Sequence, residues 1–71
     1  PKERIKNMKN YIFGIAYFSN GERKHSRNFV DEKAFSRWAN AQFRKDEDVT
    51  VEEYAMNRAD LAIIKVATWH G

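Results

Sequence analysis

Phe29-Val-Asp-Glu-Lys-Ala-Phe-Ser-Arg-Trp-Ala-Asn-Ala-Gln-Phe43 carries the clearest amphipathic pattern in this 71-residue chain. Asp31 is an N-cap residue type, with a carboxylate able to accept from the free amides of a first helical turn. Val30 before it and Phe35 after it are spaced to pack as a hydrophobic staple. Phe35, Trp38, Ala39 and Gln42 share one stripe at helical spacing, while Lys33, Arg37, Asn40 and Arg44 point away. Arg44 and Lys45 suit a helix C-terminus. The stripe needs a surface to cover, and a strand-rich stretch lies directly upstream.

That stretch is Tyr11 to Phe18, aromatic and β-branched throughout, and it reads as a strand. Asn20-Gly21 follows, a strong hairpin signal because both residues tolerate positive φ. A two-residue turn there sets the register: Phe18 faces Arg23, Ala16 faces His25, Gly14 faces Arg27 and Ile12 faces Phe29. The opposite face then carries Tyr11, Phe13, Ile15 and Tyr17 beside Lys24, Ser26 and Asn28. The second strand is polar throughout, as befits a sheet edge whose basic residues discourage aggregation.

Downstream of Phe43, Asp46-Glu47-Asp48 forms an acidic connector. Thr50 and Glu53 match a capping box, and Val49 with Tyr54 a second staple. These predict a short second helix from about Val51 to Ala59, presenting Val51, Tyr54, Ala55 and Arg58. Leu61 to Trp69 is apolar on both alternating sets and β-branched at 63, 64, 66 and 68, which favours a strand. A strand buried on both faces belongs beside the first. The expected fold is therefore α+β: a three-stranded antiparallel sheet of order 2-1-3 with one long and one short helix on one face, in the sequence ββααβ.

Seventy-one residues allow one domain, 1–71, with one small core. Hydrophobic residues at 42% and aromatics at 14% make global disorder implausible. No cysteine is present, which excludes disulfides and cysteine-based zinc sites. No apolar run approaches the roughly 18 residues of a membrane helix. The charged opening, residues 1–9, has no signal-peptide pattern and reads as a basic frayed arm. These features point to the cytoplasm. The net charge of +3 is unevenly placed: residues 1–28 carry seven Lys/Arg against Glu3 and Glu22, and the remainder is net acidic.

Motifs for catalysis are absent: no Gly-x-Ser-x-Gly, no phosphate-binding glycine loop, and three glycines in all. Pro1 as a catalytic amine is disfavoured, because charged residues rather than an apolar strand follow it. His25 and His70, far apart and without cysteine partners, do not define a metal site. No cofactor is expected. The acidic run Asp46, Glu47, Asp48, Glu52 and Glu53 lacks calcium-loop spacing and reads as helix-start electrostatics, and Trp69 as a core-closing residue. The hairpin remains. If helices cover the Phe13/Ile15/Tyr17 face, Arg23, His25 and Arg27 line the open one, ready for phosphates or carboxylates. If they cover the other, Tyr11, Phe13, Ile15 and Tyr17 form an exposed aromatic platform. A solvated basic edge serving solubility is the plain alternative to both.

The order strand, Asn20-Gly21 turn, basic strand, Phe29-x-Asp31, Ala34-Phe35-x-x-Trp38 is similar to the arm-binding domain of tyrosine integrases. It also resembles small phage-encoded α+β proteins that inhibit host machinery, anti-CRISPR proteins among them. The first likeness implies DNA binding through the basic hairpin and N-terminal arm, the second a non-enzymatic regulator or inhibitor that binds a host protein. The modest charge favours the second. The expected partner-binding residues are Phe18, Arg23, Lys24, His25 and Arg27.

Overall fold

Residues 11–29, 31–57 and 59–71 are described by the structure, a computed structural model. Strands β1 (Tyr11–Tyr17) and β2 (Arg23–Phe29) are followed by helix α1 (Glu32–Lys45), then β3 (Thr50–Met56) and β4 (Ile63–His70). The strands form one antiparallel sheet of order β2-β1-β3-β4. The expected three strands and two helices are thus corrected, among the described residues, to four strands and one helix. Residues 1–10, with the expected basic arm, and Val30 of the expected staple lie outside the described residues.

Helix α1 forms where its pattern predicts. The Asp31 carboxylate accepts from the Ala34 amide at 2.9 Å, the N-cap bond that satisfies an otherwise free donor. Phe35, Ala39 and Gln42 are buried and Trp38 is half-buried, so the predicted stripe is the packed one. α1 covers the half of the sheet made by β1 and β2. Gly14 permits that approach: a Cβ there would lie 2.5 Å from Trp38 Cζ3 and 2.8 Å from Phe35 Cε1.

The hairpin register differs from expectation by one residue. The Gly21 amide donates to the Phe18 carbonyl and the Phe18 amide to the Glu22 carbonyl, both at 2.9 Å. Ser19, Asn20 and Gly21 therefore make a three-residue loop, with Gly21 at φ 87° taking the left-handed position such loops require. Tyr17 now faces Arg23, Ala16 faces Lys24, Ile15 faces His25 and Gly14 faces Ser26. A bulge then restores the one expected pair, Ile12 with Phe29. Asn28, at φ 64°, absorbs the extra residue and turns Phe29 to the helix side. There Phe29 packs edge-on to Phe35 at 5.7 Å and against Trp38 at 5.6 Å.

The segment expected to be a second helix is β3, the neighbour of β1. Its true period is two. Val51 and Glu53 are buried on the helix side opposite Ala16 and Gly14, while Thr50, Glu52, Tyr54 and Met56 lie on the other face. Thr50 caps nothing and Val49 is buried in the core, so neither the second capping box nor the second staple exists. The final strand, expected to be buried on both faces beside the first, pairs with β3 instead and is largely exposed. Ile63, Ile64, Val66 and Trp69 are all exposed, and Trp69 closes no core.

The core gathers Ala16, Phe35, Ala39, Val49 and Val51, with Ile12, Phe18, Phe29, Trp38 and Phe43 packed around it. The acidic run ties two loops together instead of opening a helix. One Asp46 oxygen accepts from the Ser19 amide at 2.8 Å and from its hydroxyl at 2.5 Å. The other accepts from the Asp48 amide at 2.9 Å. The Ser19 hydroxyl, then its amide and that of Asp48, hold the Asp46 carboxyl below its ordinary value. Among the described residues no helix is long and apolar enough to cross a membrane.

Candidate binding face

Among the described residues no helix packs on the sheet face away from α1, and the residues of that face follow from the register. Three cross-strand rows run from β2 to β4. The first is Arg27, Phe13, Tyr54, Lys65; the second His25, Ile15, Glu52, Thr68; the third Arg23, Tyr17, Thr50, His70. Beyond the first row, Tyr11 faces Met56, which faces Ile63.

Aromatic rings and cations are in contact along this face. The Arg27 guanidinium lies 5.5 Å from the Phe13 ring centre, and that of Arg23 lies 5.8 Å from the Tyr17 ring. Phe13 is stacked on Tyr54 with centroids 5.2 Å apart and planes 11° from parallel. Phe13 is only 8% exposed, with Tyr54 and Arg27 against its ring.

Glu52 is the carboxylate within these rows, and both of its oxygens are occupied. Oε1 accepts from the Tyr54 hydroxyl and Oε2 from Lys65 Nζ, each at 2.9 Å. The bond from Lys65 lowers the Glu52 pKa, burial opposes it, and the Tyr54 bond adds to the lowering. Reciprocally, the bond to Glu52 raises the Lys65 and Tyr54 values. With Glu52 engaged, the face presents Arg23, Arg27 and two histidines at its rims around a middle of tyrosine, isoleucine and threonine. What the described residues offer there is hydrogen-bond donation, charge and ring surface.

Of the five residues expected to bind a partner, Arg23, His25 and Arg27 come together here. Phe18 does not, since it packs against the core, and Lys24 stands opposite Ala16 on the helix side. The two alternatives for the hairpin, a basic face or an aromatic one, prove to be a single surface. The one-residue shift at the loop moves Arg23 and His25 onto the face of Tyr17 and Ile15, and the bulge leaves Arg27 over Phe13. Sequence reasoning missed Glu52, Tyr54 and Lys65, which enter the face only because β3 is a strand. The stretch Val51-Glu-Glu-Tyr-Ala55 does not alternate apolar with polar residues, so the sequence held no periodic signal for them.

On the other face, α1 reaches Val51 of β3 but leaves β4 exposed. A groove of about 260 Å³ runs between Phe35, Ala39 and Phe43 of the helix and Trp69 of β4. At its floor Glu53, 8% exposed, accepts from the Trp69 indole at 3.0 Å.

No family model matches this chain, and no significant match is found among curated proteins or solved structures.

Proposed function

We propose that the protein is a non-enzymatic binding module whose open sheet face docks onto an acidic surface of a partner protein, acting as a regulator or inhibitor by occupying that surface. The observation that carries this reading is the set of guanidinium groups held against rings on one face: Arg27 on Phe13 and Arg23 on Tyr17. An arginine already resting on an aromatic ring loses less side-chain freedom on binding, and its donor edges stay available to carboxylates. Tyrosine and arginine are also the residue types that dominate the energetics of protein interfaces. Glu52, bonded on both oxygens, does not compete for these donors.

A pull-down from the source cell, with nucleic acid digested in a parallel sample, identifies the partner. Arg23→Glu with Arg27→Glu should then weaken binding at least tenfold. Lys24→Glu, from the same strand but the opposite face, should leave it within about twofold. Equal effects from the two sides of β2, or none from the double variant, would sink the reading.

A second reading, binding to a nucleic-acid backbone, draws on the same cations. It predicts affinity for a mixed duplex falling by about 0.9 log units per log unit of salt for each phosphate neutralised. No binding at low salt eliminates it. The ring faces of Phe13 and Tyr17 are occupied by arginine rather than free for bases, which favours the protein partner.

A further inference from the structure

We infer that two copies of this chain pair through their β4 edges, antiparallel about a two-fold axis, to form a closed dimer with an eight-stranded sheet. The inference is independent of the binding face proposed above.

The two edges of the sheet are built in opposite ways. β2 carries Arg23, Lys24, His25 and Arg27 within seven residues, so two β2 edges repel one another. β4 has one Lys or Arg, Lys65, and it is already paired with Glu52 of its own sheet. Otherwise β4 is apolar and exposed: Ile63 56%, Ile64 64%, Val66 56% and Trp69 48%, with Leu61 at 66% just before it. It has no proline to block pairing, and among the described residues no strand lies beside its outer backbone groups.

The occupant follows from this contrast. A second β4 offers the same apolar side chains and the same free row of amides and carbonyls, so the contact is self-complementary. It also closes. Once the two β4 strands meet, the outermost strands are both β2, and their positive charge stops further addition. A β4 edge added instead to β2 would set apolar side chains against cations and leave another β4 exposed, which builds fibres. Each β4 is eight residues long, a strip of about 26 Å at roughly 3.3 Å per residue. Such a strip buries less than the about 800 Å² per partner of a standard interface, so the dimer is reversible and concentration-dependent.

Sedimentation equilibrium on the whole chain over a dilution series tests this. The expected result is a two-copy mass that falls to one copy on dilution. Ile64→Lys with Val66→Lys should hold the protein at one copy throughout, with its circular dichroism unchanged because both side chains are exposed in the single copy. Arg23→Glu on β2 should not abolish the dimer. A one-copy mass for the native chain at every concentration overturns the proposal. So does a two-copy mass that survives the β4 double variant, or a mass that keeps growing. If the double variant loses its fold, hydrogen exchange on the native chain decides: β4 amides must gain protection as concentration rises, and no gain overturns the pairing.

Discussion

Three backbone positions at the residue scale control where side chains point. Gly14 must lack a side chain because ring carbons of Trp38 and Phe35 occupy the space. Both rings are wedged between sheet and helix, so Gly14→Ala should destabilise the protein by about 1–3 kcal/mol, read as a lower urea midpoint. Gly21, at φ 87°, faces open space, and its constraint is conformational alone. Gly21→Ala should cost about 1 kcal/mol. Leu61 is the reverse case, with φ 61° and an exposed side chain in a position that suits glycine. Relief of about 1–2 kcal/mol there is partly offset by the 0.5–1 kcal/mol flexibility cost of glycine. Leu61→Gly should therefore stabilise slightly and raise the melting temperature.

Leu61 also explains one limit of the sequence at the scale of elements. The turn between β3 and β4 has neither Gly nor Pro. It is made by the Leu61 amide donating to the Asn57 carbonyl at 2.7 Å and by the side chains of Asn57 and Asp60 accepting from Ala59 and Ala62. Without turn punctuation, β3 looked continuous with a helix, and Thr50-x-x-Glu53 supplied a plausible cap. Local spacing cannot weigh what pairing on both sides gives β3. β1, α1, its N-cap and the polar edge of β2 were legible because their patterns are local and regular. The register of β2 was not. Asn-Gly permits both a two-residue and a three-residue loop, and the bulge at Asn28 pairs Ile12 with Phe29 in the second as a plain register would in the first.

The link between Asp46 and the hairpin loop gives a pH dependence at this same scale. Asp46 and Glu52 titrate below their ordinary values in the folded chain. Depressed carboxyls contribute stability that is present above the unfolded range, near pH 4, and is lost as pH falls through the native values. Ser19→Ala removes the largest cause acting on Asp46. The variant should be less stable than the native chain at neutral pH, and the difference should shrink as the solution is taken below about pH 4. Thermal melts across that range measure it. A constant difference would mean the hydroxyl acts by packing alone.

For the whole molecule, the unequal coverage of the sheet is the decisive property. Among the described residues one helix serves four strands, so β1, β2 and Val51 of β3 lie under it while β4 is exposed along most of its length. The sequence showed that one sheet face would be open, but not that its basic and aromatic residues would share it. Paired β4 edges would place the Arg23/Arg27 rims at opposite ends of the assembly, about 33 Å apart at the usual strand spacing. Binding to a repetitive acidic surface would then be bivalent. Under conditions where the native chain is a dimer, Ile64→Lys with Val66→Lys should weaken such binding far more than binding to an isolated acidic partner. Surface plasmon resonance at high and low ligand density separates the two cases.

The central seam of the sheet has a consequence in time. β1 and β3 pair along their full length, Tyr11 opposite Met56 and Tyr17 opposite Thr50, yet all of β2 and α1 lies between them in the chain. The two hairpins close over short loops, whereas this seam closes only after a long one, whose entropy must be overcome first. Val51→Ala, buried in the seam opposite Ala16, should cost about 2 kcal/mol and act mainly by slowing refolding. Ile64→Lys, on the outer strand, should leave the refolding rate nearly unchanged. The chain that reads as two independent hairpins would then fold at the speed with which they find each other.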